Sequence, residues 1–93
     1  MEFEWDDAKA RANLVKHGVP FDYAVRVFDD PDCLDIDTIR PVDGESRRKI
    51  IGLIEGRLFA VVYVMREDVC RIISARRTNK TEDRSYGNHP LHA

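Results

Sequence analysis

The chain is short of the residues that mark whole classes of protein. Its 93 residues include two cysteines, five glycines, four prolines and a single tryptophan. Cys33 and Cys70 stand alone, with no C-x-x-C and no histidine at metal-ligand spacing, which argues against a disulfide scaffold and a zinc site. With 43% hydrophobic and 34% charged residues, the composition excludes a disordered or low-complexity chain. The longest apolar run, Leu58 to Met65, falls far short of the ~20 residues a membrane helix needs. Met1 to Asp6 offers neither a basic nor an apolar leader region, so no secretory signal is expected and a cytoplasmic setting with free thiols is. The length suits one domain, with a core that buries only about 60–65% of the unfolded surface.

Charge of one sign is also missing: the net value is −2. That figure hides a split. Residues 1–45 carry 12 acidic and 5 basic side chains, whereas residues 46–93 carry 5 acidic and 10 basic. Such asymmetry points to a basic face unless the two halves interleave in the fold.

What is there divides into helices, then strands. Phe3 and Trp5 alternate with acidic neighbours, as a short strand or arm does. Asp6 suits a helix cap, the helix runs to about His17, and Gly18 ends it. Pro20 permits a second start, and Phe21, Ala24, Val25 and Phe28 form one apolar stripe before Asp29-Asp30-Pro31 stops the helix. Strands follow at Leu34 to Thr38, Arg47 to Ile54, Leu58 to Met65 and Val69 to Arg76. Turns fall at Pro41 to Gly44, Glu55-Gly56 and Glu67-Asp68. In the last strand Cys70, Ile72 and Ser74 are expected on one face and Ala75 on the other. Asn79 and Glu82 suit a capping box opening a short helix to about Tyr86. The expected fold is α+β: a helical hairpin packed on one face of a twisted antiparallel sheet, with a short C-terminal helix. Residues 1–86 form the domain and 87–93 a flexible tail.

Eleven of the 15 basic residues are arginine, concentrated in the later strands and the last helix. Arginine's planar fork suits phosphate and keeps its charge. Arg76-Arg77, at a strand end, can aim at the same edge as Arg47 if their strands are neighbours. Ordinary solvated strand positions are the alternative. Among acid–base groups, His17 sits at a helix C-terminus, where it could equally be a cap. Glu45 adjoins the Arg47-Arg48-Lys49 run, where it could equally be a surface ion pair.

The string Phe3-Glu4-Trp5-Asp6, then Lys9, Asn13, Lys16-His17-Gly18-Val19, Phe21, Ala24 and Val27-Phe28-Asp29-Asp30-Pro31, resembles the BrnT toxins of bacterial type II toxin–antitoxin systems. Gly44-Glu45-x-Arg47, Ile51-Gly52, Gly56-Arg57, Val61-Val62-Tyr63, Arg66 and Arg71 to Arg76 continue the likeness to about residue 86. Arg77-Thr78-Asn79 departs from the pattern. The resemblance implies a RelE-like fold, endoribonuclease activity that blocks translation, and a cognate BrnA-like antitoxin whose ribbon-helix-helix domain binds operator DNA. Such chemistry needs no metal or other cofactor: a base takes the ribose 2′-OH proton and cations stabilise the phosphate. On this reading Arg47, Arg66 and Arg76 stabilise the transition state, with Glu45 or His17 as base. Lys49, Arg77 and Tyr86 hold the RNA. The alternative is a non-catalytic module that binds RNA or protein through the same basic face. Whether Arg47, Arg66 and Arg76 point the same way separates a site from scattered charge.

Overall fold

The computed structural model describes residues 1–38 and 46–87. The turn expected at Pro41 to Gly44 and the tail beyond Gly87 lie outside them. Strand β1 (Glu2–Glu4) leads into helix α1 (Asp7–His17), where Asp6 accepts the Lys9 N–H at 3.1 Å and Gly18 takes a left-handed φ of 71°. Both ends of α1 therefore form as their residues dictate. The second helix is shorter than expected. Only Phe21–Ala24 is α-helical (α2), and Val25–Asp29 tightens into a 3₁₀ turn. Its apolar stripe still reaches the sheet, with Phe21, Ala24 and Val27 buried.

Four strands follow: β2 (Leu34–Asp37), β3 (Arg48–Ile54), β4 (Arg57–Arg66) and β5 (Val69–Arg77). Helix α3 (Lys80–Gly87) closes the described chain. The sheet runs in the order β1-β5-β4-β3-β2. It is mixed rather than antiparallel, because β1 pairs in parallel with β5, Glu2 opposite Val69 and Glu4 opposite Arg71. The chain can place β1 this way only by travelling through both helices first, as parallel pairing demands a long crossover.

Helices cover both faces of the sheet, not one. Ile50, Phe59, Val61, Tyr63, Cys70, Ile72 and Ala75 pack beneath α2 and the 3₁₀ turn, while Ile51 and Ala60 pack with Tyr86 of α3. This explains why Leu58 to Met65 is apolar on both sides: β4 is the central strand of a sandwiched sheet. A register shift between Val62 and Tyr63 inserts Ile73 as an extra residue in β5. After it the faces exchange, so Ala75 joins Cys70 and Ile72 and Arg76 turns to the α3 side. Period-two alternation carries no sign of such a bulge, and the expected grouping of Ser74 with Cys70 fails there.

Gly52 sets how close the first layer sits. A Cβ there would lie 2.8 Å from both the Cβ and the carbonyl oxygen of Val27, so the 3₁₀ turn rests on bare β3 backbone. Gly52→Ala is expected to destabilise the fold by about 1–3 kcal/mol. A thermal melt checks this, and an unchanged midpoint would mean the turn can lift at no cost.

Candidate functional site

Strand alternation sorts the basic residues by face. Ile51 and Ala60 face α3, and so do Lys49, two residues from Ile51, and Arg76, the register partner of Ala60. The β2–β3 ladder runs one step further, with the Thr38 N–H donating to the Arg47 carbonyl at 3.1 Å. Arg47 therefore falls on the Lys49 side. Arg66 shares this face at the far end of β4, and Arg71 lies opposite Val64. Arg47, Lys49, Arg66 and Arg76 thus share one face around Val62 and Val64. They form a spread rather than a knot: Arg66 is roughly 20 Å along the strand from Arg76's partner Ala60.

The centre of this face is built by α3. Asn79 Oδ1 accepts the Glu82 N–H at 2.8 Å, and Glu82 Oε1 accepts the Asn79 N–H at 3.0 Å, the reciprocal capping box. That geometry aims Glu82 back at the sheet. The Arg76 fork grips it with bonds of 2.7 and 2.8 Å, and Lys49 Nζ reaches Oε2 at 2.8 Å. The Glu82 side chain is only 4% exposed. Burial pushes its pKa up, but the hydrogen bonds from Arg76, Lys49 and the Asn79 backbone outweigh this and hold it down at about 2. Two cations share one carboxylate, so one positive charge is left over. Beside them the half-buried Arg47 guanidinium makes no hydrogen bond or ion pair among the described residues.

The opposite face carries a cleft of about 640 Å³ between the α1–α2 turn and the β3–β4 hairpin. His17, Arg57 and Arg77 line it, with Tyr23, Glu55 and Phe59. Two of its charged groups, Glu55 and Arg77, are engaged. Glu55 accepts from Tyr23 at 3.0 Å and Arg26 at 2.9 Å, and Arg77 lies over the Phe59 ring, 5.4 Å from its centre. His17 and Arg77 therefore meet each other, with the sheet between them and Arg76.

Kinship indicates ribonuclease chemistry. A family model described as the ribonuclease toxin, BrnT, of type II toxin–antitoxin systems matches residues 5–82. The chain belongs to the BrnT family. BrnT proteins are ribonuclease toxins, so RNA is the substrate and an antitoxin the partner. A search of the curated proteins returned no match. Among the described residues no helix is long and apolar enough to cross a membrane.

The matched segment ends at Glu82, so it includes every cation of the BrnT sheet face. Glu45 lies outside the described residues. Tyr86 is placed differently from expectation: it is buried against Ile51 and Ala60, and its hydroxyl donates to Asp30 Oδ2 at 2.7 Å. Burial and that carboxylate push its pKa up. Its ring has no face to offer a nucleobase; it fastens α3 to the chain before β2. Sequence reading missed the part played by Glu82, for which the capping box was the available signal. It also missed Asn13, whose buried amide bonds both the N–H and the carbonyl of Ala75, at 3.1 and 2.8 Å. A mid-helix asparagine, weak in helix propensity, is the trace such a role leaves.

Proposed function

We propose that this BrnT chain cleaves RNA without a metal ion, on the sheet face that holds Arg76, Lys49, Arg47 and Arg66. One observation carries the reading: a buried carboxylate fixes Arg76 and Lys49 in place yet neutralises only one of them, beside Arg47, whose side chain has no hydrogen bond or ion pair among the described residues. Such a preorganised surplus of positive charge is what a phosphate gaining negative charge requires. A base removes the 2′-OH proton, the oxygen attacks the adjacent phosphorus, and the P–O5′ bond breaks. The products are a 2′,3′-cyclic phosphate and a 5′-hydroxyl. Glu82 is a poor base, since two cations hold its carboxyl near pKa 2. His17 lies across the sheet. Glu45, two residues before Arg47 in sequence, is the base this reading assigns.

Cleavage of cellular RNA blocks translation, and a BrnA-like antitoxin with a ribbon-helix-helix domain neutralises the toxin by covering the same face, in a RelE-like arrangement in the cytoplasm. The expected result with purified protein is RNA cleavage at an unchanged rate in excess EDTA, with new ends carrying 5′-hydroxyl groups. Loss of cleavage on chelation, restored by a divalent cation, or new 5′-phosphate ends, overturns the mechanism.

A further inference from the structure

Helix α1 is held to the sheet by little apolar packing: Ala10 touches the core, and the buried Asn13 does the rest. Positions 9, 12, 13, 16 and 17 recur at helical spacing and line a groove of about 240 Å³ against β5. They are Lys9, Ala12, Asn13, Lys16 and His17, while Leu14 and Val15 are left 46% and 89% exposed. Among the described residues no carboxylate lines the groove, and Asp6 lies within electrostatic reach of Lys9. Asn13 accounts for its own place by holding the Ala75 backbone. Lys9 and Lys16 are exposed and make no side-chain hydrogen bond or ion pair among the described residues. They stand two helical turns apart, roughly 10 Å.

The far wall of the groove includes Ser74. Ser74 is the register partner of Val62, so it also belongs to the sheet face of Arg76, one same-face step away. The groove and the basic face are thus continuous around the upper edge of β5, which β1 leaves uncovered because it pairs only with Val69 to Arg71. We infer that this groove is an RNA-backbone track: the strand lying on the Arg76 face continues over Ser74, and its flanking phosphates rest on Lys9 and Lys16. The inference rests on the proposed cleavage face for its direction but not for its charge. A single RNA strand suits it better than a duplex, because two lysines along one helix face follow one backbone.

The test is a Lys9→Gln/Lys16→Gln protein, with Lys9→Arg/Lys16→Arg as the charge-keeping control. Binding to a single-stranded 20-mer is measured over a range of salt. Two lost phosphate contacts are expected to flatten the slope of log affinity against log salt by about 1.4. The ratio of wild-type to double-glutamine cleavage rates should rise with RNA length, to roughly tenfold for the 20-mer, while the double-arginine protein behaves as wild type. An unchanged salt slope, or a rate ratio that is the same at every length, overturns the track. Adding Arg76→Ala separates the two readings. If Arg76→Ala cleaves normally while the lysine slope effect persists, the cleavage face is wrong and the track stands.

Discussion

Arg47→Ala is expected to fold as the wild type does and to cleave RNA roughly 10²–10³-fold more slowly, the usual loss for one preorganised donor to a developing oxyanion. The position separates chemistry from stability. Arg76→Ala is also expected to stop cleavage, but it takes two hydrogen bonds from the buried Glu82 carboxylate and leaves it Lys49, so lost activity there mixes two causes. The Arg47 side chain makes no hydrogen bond or ion pair among the described residues, so its removal leaves none of their charges without a partner. The decisive pair of measurements is the single-turnover cleavage rate and the thermal midpoint of the same preparation. Wild-type cleavage by a folded Arg47→Ala protein removes the site from this face.

The second large effect concerns stability and its dependence on acid. Glu82 has a folded pKa of about 2 against an ordinary value of 4.5. In the unfolded chain it takes up a proton first as the pH falls. Its contribution is therefore full above about pH 4.5 and is lost progressively toward pH 2. The shift corresponds to about 3 kcal/mol. Glu82→Gln keeps the shape but leaves Arg76 and Lys49 facing a neutral amide. The expected result at pH 7 is a loss of about 3 kcal/mol, or roughly 10–25 °C in Tm. Urea unfolding of both proteins between pH 5 and 2.5 checks the origin of the effect. The wild type should lose more stability over that range than the variant; equal losses would place the acid sensitivity elsewhere.

Much of this architecture was legible because it is written locally. Asp6, Gly18, the Glu55-Gly56 turn and the Asn79–Glu82 box each act within a few residues, and each stands where its chemistry requires. What local patterns did not show was long-range. The parallel seat of β1 depends on a partner far along the chain. The Ile73 bulge changes which face Arg76 joins, and no periodicity announces it. The same holds for the site. The arginine concentration was visible, and the structure gathers Arg47, Arg66 and Arg76 on one face. That Glu82 would organise two of the cations required the α3 helix to lie over the sheet, and Tyr86, read as a nucleotide contact, proved to be the bolt holding it there.

The parallel seat of β1 also has a bearing on when the toxin can exist. Glu2 leaves the ribosome well before Val69, its sheet partner. Pairings so distant in sequence close slowly, after the loop entropy between them has been spent. At roughly 5–20 residues per second, seconds pass between the making of Glu2 and that of β5, and longer before the helix that delivers Glu82 to Arg76 and Lys49 is made. The charge cluster therefore assembles only after the chain has been made as far as α3.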